Sequence, residues 1–449
     1  MKKIFIIGAG RSTINLIQYL LENSVTYGWK VTVVDQSLEL AQHKVANHPN
    51  GTAMAFDVSD EGCLHELVQA HDVVVSMLPA HMHISVAKAC VQYGKHMVTA
   101  SYISDEMRAL DGAARAAGVV LINEIGVDPG IDHLSAMRML DHVRNEGAEI
   151  ILFESFTGGL VAPECEGDNP WKYKFTWNPR NVVLAGSGGA VKFKQEGLYK
   201  YIPYHQLFRR TEFIDIDAYG RFEAYANRDS LKYREVYGLT DSLTVYRGTL
   251  RRPGFCRGWD VFVKLGMTDD SYTLENSEHM TFRQFTNTFL AYNKTDSVEL
   301  KLMHYLKIDQ DDDLMERLKW LGVFDNTVIG LKNATPAQIL QHILERKWSL
   351  NPQDKDMVVM YHKMGYVLNG KKHQIDAHMV VIGEDSEHTA MAKTVGLPAA
   401  IAVKYILTGA ITTPGVQIPI SPEIYNPVLD ELEAHGISFV EKEVPYEGY

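Results

Sequence analysis

Gly8-Ala9-Gly10-Arg11-Ser12-Thr13 forms a glycine-rich stretch that follows the apolar run Lys3 to Ile7 and precedes residues at helical spacing, an arrangement suited to binding an anion. The first glycine permits a tight turn. The second lets a pyrophosphate approach backbone N–H groups at a helix N-terminus, where the dipole favours negative charge. Position 13 is Thr, where a third glycine normally allows close helix-to-strand packing. Asp35 closes the next apolar run, where a carboxylate can accept hydrogen bonds from adenosine ribose hydroxyls. The plain structural alternative is a strand-end Asp that starts a turn. The same carboxylate would repel a 2′-phosphate, and no Lys or Arg follows until Lys44, so the expected cofactor is NAD in preference to NADP.

These residues need a scaffold, and the first 125 or so residues supply a pattern for one. Short β-branched runs at Lys3 to Ile7, Lys30 to Val34, Thr52 to Phe56, Asp72 to Met77, His96 to Thr99 and Val119 to Ile122 alternate with helical stretches such as Leu16, Ile17, Leu20, Leu21 and Leu64, Leu67, Val68. This predicts an α/β fold with a doubly wound parallel sheet. Ser76-Met77-Leu78-Pro79 and Thr99-Ala100-Ser101-Tyr102 then fall at the carboxyl edge of the sheet, where ligands of open α/β folds bind. Asp57, at the end of the third run, shares that edge. Gly8, Gly10, Arg11, Ser12, Thr13, Asp35, Gln36, Ser37, Asp57, Met77, Thr99 and Ala100 are accordingly expected to touch the dinucleotide, together with Gly126 and Val127.

Beyond Glu149 the pattern changes to longer strands, with Ile150 to Phe156 ending at an expected turn, Gly158-Gly159, and a dense aromatic segment from Trp171 to Trp177. Residues 271–346 are helical in character, and the acidic run Asp309 to Asp313 reads as a solvated helix start. Two strands, Asp356 to Gly365 and His373 to Gly383, flank a hairpin signal at Asn369-Gly370. His388 to Leu407 reads as an amphipathic helix interrupted at Gly396-Leu397-Pro398 and packed back on the nucleotide domain. With 46% hydrophobic and 22% charged residues in 449, the composition is that of a globular protein with room for two or three domains. The net charge of -12 argues against nucleic acid or an anionic membrane as partner. Four cysteines without CxxC spacing indicate neither a disulfide framework nor a structural zinc site, and no metal constellation is expected. With no apolar run of about 18 residues and no secretory h-region, the cytoplasm is the expected location.

At Thr99-Ala100-Ser101-Tyr102 and the long string Asn123-Glu124-Ile125-Gly126-Val127-Asp128-Pro129-Gly130-Ile131-Asp132-His133-Leu134, the chain resembles the glutamate-forming saccharopine dehydrogenases. The likeness continues through Thr157 to Leu160, Asp168-Asn169-Pro170, Asn227-Arg228-Asp229-Ser230, Arg247 to Arg251, Leu318 to Gly322 and Met391-Ala392-Lys393. It implies a dinucleotide-binding domain (1–131 and 390–449), an α/β substrate domain (132–255 and 356–389) and a helical domain (256–355), with a homodimer as the assembly. It also implies that Ser101, Tyr102, Asp128, Arg228, Thr249, Leu250 and Arg251 contact a small-molecule amino acid carrying several carboxylates. Arg suits bidentate carboxylate recognition. For Arg228 the structural alternative is an ion pair with Asp229 or Glu223. Asp132 reads as the N-cap of the following helix, and His133 as a structural histidine. Fungal members of the family, which use NADP, have an Arg just past the second strand, where this chain has Asp35-Gln36-Ser37.

The implied reaction oxidises the carbon beside a secondary amine to an iminium, which water converts to an aldehyde and an amine. Tyr102 and Asp128 are the candidate general bases. The rival readings are a lysine-forming or carboxynorspermidine-type dehydrogenase, which would share the Gly8 to Asp35 fingerprint but lack the later strings, and a nucleotide-sensing protein without turnover.

Overall fold

The computed structural model describes residues 1–185 and 187–448. The chain forms two compact units. The first comprises Met1–Ile150, Tyr366–His373 and Met379–Lys442, and the second comprises Ile151–Gly365, Gln374–His378 and Glu443–Tyr449.

In the first unit the β-branched runs become six parallel strands: β1 (Lys3–Ile7), β2 (Lys30–Asp35), β3 (Gly51–Ala55), β4 (Val73–Ser76), β5 (His96–Val98) and β6 (Val120–Ile122). With a late strand, Gly415–Gln417, the sheet runs Gly415–Gln417, β6, β5, β4, β1, β2, β3. The order reverses between β1 and β4, the kind of switch point outside which open α/β sheets bind ligands. Ile4 to Ile7 pair with Val31 to Val34 on one side and with Val73 to Ser76 on the other, so β1 is central and, after the exposed Lys3, apolar. The helix Ile14–Tyr27 buries Leu16, Ile17, Leu20 and Leu21, as the helical spacing requires.

The helix Ala390–Thr408 packs on Ile14–Tyr27, as expected, but it is not interrupted: Pro398 lies inside one continuous helix. Gly396 explains the close approach, because a Cβ there would lie 3.0 Å from the Leu16 backbone nitrogen. This helix also corrects the reading that no apolar run nears membrane-spanning length. It is 19 residues long and its most apolar stretch has mean hydropathy 1.3, yet 72% of that stretch is buried, as in a core helix.

A second, mixed sheet, most of whose residues fall in the second unit, comprises β7 (Glu149–Val161), β8 (Val191–Gln195), β9 (Leu198–Ile202), β10 (Thr211–Ile216), β11 (Gly220–Ala226), β12 (Thr244–Arg251), β13 (Asp356–Leu368), β14 (Lys371–Ile382) and a last strand, Val440–Val444. Its main path runs β10, β11, β12, β7, β13, β14 and Val440–Val444, with β8 pairing β12 and β9. The Gly158-Gly159 pair is not a turn. β7 runs straight through it, and a Cβ on Gly158 would lie 2.5 Å from the Leu250 carbonyl oxygen, so glycine is needed for packing against β12. Asn369 and Gly370 have φ of 51° and 73°, the left-handed pair of a tight hairpin joining β13 to β14. Asp312 caps the helix Asp313–Leu321 by accepting from Leu314 N–H, which is what the acidic run forecast. Trp171, Tyr173, Phe175, Phe255, Trp259 and Trp348 form a buried aromatic cluster.

Candidate functional site

The glycine loop crosses the end of β1. Gly8 has φ +106°, and a Cβ there would lie 2.9 Å from the Met77 carbonyl oxygen, so both backbone and space demand glycine. Gly10 differs: its φ of −69° suits any residue, and no protein atom lies within 4 Å of where its Cβ would be. Neither backbone conformation nor a neighbouring protein atom therefore requires glycine at position 10. A turn of 3₁₀ helix, Arg11–Thr13, leads into Ile14–Tyr27, so the first N–H groups of the combined helix are free of intrahelical partners. Thr13, the departure from a third glycine, is accommodated because its buried hydroxyl donates to the Gly10 carbonyl at 2.8 Å. Gly10, Arg11, Ser12, Thr13, Ser76, Met77, Leu78, Thr99, Ala100, Ser101 and Val395 line a cavity of about 260 Å³. This geometry fits a dinucleotide's phosphates and the segment that follows them. A Gly8→Ala change should add about 1 to 3 kcal/mol of backbone strain and push the loop off Met77. Loss of dinucleotide binding in a fluorescence titration, with a lower unfolding midpoint, is the expected result; wild-type affinity would contradict this account of Gly8.

Asp35 is partly buried and faces inward. One carboxylate oxygen accepts from Ala9 N–H at 2.8 Å and the other from Ser37 N–H at 3.0 Å. It braces the glycine loop and starts the turn into the helix Leu38–Val45, which Ser37 caps. Gln36 and Arg11 are exposed. Asp57 is likewise held locally: Ser59 N–H and hydroxyl both donate to it, which keeps its carboxyl below the usual range.

The string from Asn123 to Leu134 folds back over the same edge. Gly126 N–H donates to the Pro129 carbonyl, and Gly126 would meet Ala100 at 3.0 Å if it bore a Cβ. Val127 is buried behind this turn. Asp132 is not the N-cap: the helix Ile131–Asn145 starts from Gly130, whose N–H donates to the Asp132 carboxylate at 2.6 Å. His133 and Glu124 are both buried and meet at 2.9 Å, while the other Glu124 oxygen accepts from Ile103 N–H. His133 thus ties the string to the segment after Tyr102, a structural role. Tyr102 hydroxyl donates to Asp128 at 3.3 Å, so the structure brings the two candidate bases together. Behind them, His83 joins Ser76 and Ser101, with Nδ1 2.8 Å from Ser76 Oγ and Nε2 2.7 Å from Ser101 Oγ. Burial holds its imidazole well down, at about 4, with help from the charge of His81. Sequence reading passed over His83 because a histidine opening a helix carries no spacing signal.

In the second unit, Arg251 is buried at the end of β12. Its Nη1 donates to the Leu250 carbonyl at 2.8 Å, its guanidinium lies 5.0 Å from the Tyr173 ring and 5.3 Å from the Phe255 ring, and its Nε has no partner among the described residues. The Tyr173 hydroxyl and the Thr157 hydroxyl are also buried without partners, and Thr157 sits opposite Thr249 in the β7–β12 register. Leu250 is buried and Thr249 partly so. Buried polar atoms are nearly always paired, so orphaned donors around a buried cation mark a place for an anionic ligand. Thr157 was not foreseen from sequence. Arg228 is exposed at φ 52°, at the end of β11. Glu223 accepts from the N–H groups of Gly254 and Cys256, and Asp229 lies 3.7 Å from Lys192 Nζ. Among the described residues, no group of three or more His, Cys, Asp or Glu has metal-binding geometry.

Comparison with known proteins accounts for both units. Residues 4–122 match the family model described as saccharopine dehydrogenase NADP binding domain, and residues 126–437 match that of the saccharopine dehydrogenase C-terminal domain. The chain is 33% identical to a Schizosaccharomyces pombe protein named saccharopine dehydrogenase (NADP(+), L-glutamate-forming), over 98% of this chain and 99% of that protein. It is 34% identical to the rat mitochondrial alpha-aminoadipic semialdehyde synthase, where the match covers 98% of this chain but 47% of the larger protein. A solved structure of the L-Glu-forming saccharopine dehydrogenase from Saccharomyces cerevisiae superposes with a TM-score of 0.89 at 32% identity, covering 99% of this chain and all of that one. These findings correct the cofactor expectation: the matched domain is an NADP-binding one and the relatives are NADP(+)-dependent by name, against a preference for NAD. The physical reason lies in Asp35. Each of its oxygens already accepts from a backbone N–H group, so the carboxylate has a structural role in bracing the loop, and its presence at the strand end does not by itself specify what the adenosine ribose carries.

Proposed function

The chain belongs to the saccharopine dehydrogenase family, and on that premise we propose that it catalyses the L-glutamate-forming reaction: saccharopine, NADP+ and water give L-glutamate, 2-aminoadipate 6-semialdehyde, NADPH and a proton, reversibly. The observation that carries this reading is Arg251, a buried guanidinium with an open Nε beside an unpartnered Tyr173 hydroxyl, in a chain of acidic total charge. Such a group suits one of saccharopine's three carboxylates.

Bound NADP+ supplies the acceptor for the hydride lost from the carbon beside the secondary amine. The remaining work falls to this chain's residues. The glycine loop at Gly8 and Gly10 and the N–H groups that follow hold the diphosphate, with Arg11 as the adjacent cation. Asp128 takes a proton from the substrate amine and releases it to solvent before water attacks. It then takes a proton from that water and returns it to the nitrogen as the C–N bond breaks, the hydroxyl proton leaving to solvent, and the Tyr102 hydroxyl orients the carboxylate throughout. Arg228 and Arg251, with the Thr249 hydroxyl, grip carboxylates, and Leu250 lies beside them at the substrate. The negative total charge supports a small-molecule substrate over nucleic acid or an anionic membrane, and four free thiols support a reducing compartment such as the cytoplasm. A homodimer belongs to the same proposal and is checked by sedimentation.

The test is a single-turnover reaction of the purified protein with saccharopine and NADP+, read by mass spectrometry. Glutamate and the semialdehyde are expected. Lysine and 2-oxoglutarate would mean that the opposite carbon is oxidised and the proposal is wrong.

A further inference from the structure

Ser76, His83 and Ser101 come from three separate elements: the end of β4, the start of the helix His83–Tyr93, and the segment after β5. His83 is buried and bridges the two serines, both of which line the cavity beside the glycine loop. Counting donors fixes the direction of this relay. Ser76 is fully buried, and the one partner of its hydroxyl among the described residues is His83 Nδ1. A buried hydroxyl keeps its donor satisfied, so Ser76 O–H donates and Nδ1 accepts. The imidazole is neutral, because burial disfavours its charged form. Its one proton therefore sits on Nε2 and is donated to Ser101 Oγ. The oxygen of Ser101 is thereby occupied as an acceptor, and its own O–H is left to donate into the cavity.

We propose that His83 is a positioning residue that sets Ser101 as a hydrogen-bond donor to a carboxylate of the amino-acid substrate, with Ser76 fixing the imidazole tautomer. A serine without this brace can turn its lone pairs toward a carboxylate as readily as its proton. With the brace, the cavity wall discriminates in favour of an anionic oxygen before the substrate arrives, which is preorganisation and not added contact.

The proposal rests on the saccharopine reading above, and the experiment separates the two. Wild-type protein that binds NADPH but does not turn over saccharopine would remove that reading and this inference with it. Turnover with a KM indifferent to position 83 removes the inference alone. His83→Phe fills the volume without either hydrogen bond and is expected to raise the saccharopine KM about tenfold, with kcat and the NADPH Kd within about twofold of wild type. His83→Gln, whose amide oxygen can accept from Ser76 while its nitrogen donates to Ser101, should restore most of the KM. In a Ser101→Ala background, His83→Phe should add no further loss, since both changes remove one interaction. Multiplicative losses, or a loss that falls on NADPH binding, would overturn the proposal. Should His83→Phe fail to fold, Ser76→Ala decides: it frees Nδ1 to carry the proton and should raise the saccharopine KM about threefold, and an unchanged KM would overturn the proposal.

Discussion

Asp128→Asn is expected to lower kcat for saccharopine oxidation by about 10²- to 10⁴-fold, the usual contribution of a positioned general base. Asn keeps the size and one acceptor oxygen but cannot take a proton. Between the two candidates, the hydrogen bond decides the roles: Tyr102 hydroxyl donates to Asp128, so the carboxylate is the group poised to accept a proton and the phenol is the group that aims it. Tyr102→Phe should therefore cost less, about tenfold, and the cost should vanish in the Asp128→Asn background. Stopped-flow absorbance of reduced nicotinamide measures the chemical step directly. A kcat for Asp128→Asn within about threefold of wild type would sink the assignment, because it would leave orientation alone to supply the rate.

Much of the first unit is legible in its sequence because a parallel sheet covered on both faces leaves near-continuous apolar runs. Lys3 to Ile7 is bounded identically in sequence and structure, and the later strands shift by a residue or two at their ends. What misled the reading at Gly158-Gly159 and at Pro398 was a local feature answered by a distant one, and at Asp132 a cap shifted within the same turn. Gly158-Gly159 looks like a turn until Leu250 is brought against it. Pro398 looks like a helix break, yet the helix continues through it, packed on Ile14–Tyr27. Asp132 has the type and place of an N-cap, but Gly130 holds that position and Asp132 serves its N–H instead.

The candidate site divides in the same way. Gly8 and Gly10 follow from the strand–loop–helix order alone. Asp35 was identified as a strand-end carboxylate, but the sequence could not say which way it turns, and the cofactor expectation depended on that direction. The Ser76–His83–Ser101 relay and the Thr157, Tyr173 and Arg251 neighbourhood each join segments separated in the chain. No spacing rule reaches across such gaps, whereas hydrogen-bond accounting in three dimensions exposes them at once.

Arg251→Met should lower kcat/KM for saccharopine by about ten- to a hundredfold, the equivalent of losing a charge-assisted hydrogen bond worth about 1.5 to 3 kcal/mol, while NADPH binding stays unchanged. Arg228→Met should act in the same direction. For Arg251 a second measurement separates a ligand-binding role from a structural one. In the free protein this guanidinium is buried with Nε unpaired, and taking an ion out of water costs several kcal/mol. Its compensation among the described residues is a hydrogen bond to the Leu250 carbonyl and contacts with the Tyr173 and Phe255 rings, each ring worth about 0.5 to 2 kcal/mol. Replacing such a cation with an apolar side chain of similar length is commonly neutral or stabilising. The variant should therefore unfold at or above the wild-type temperature while losing its substrate, and added saccharopine should raise the wild-type midpoint but not the variant's. A fall in both stability and activity, with saccharopine protection intact, would return Arg251 to the core as a packing residue and leave the orphaned Tyr173 and Thr157 hydroxyls to be accounted for by some other ligand.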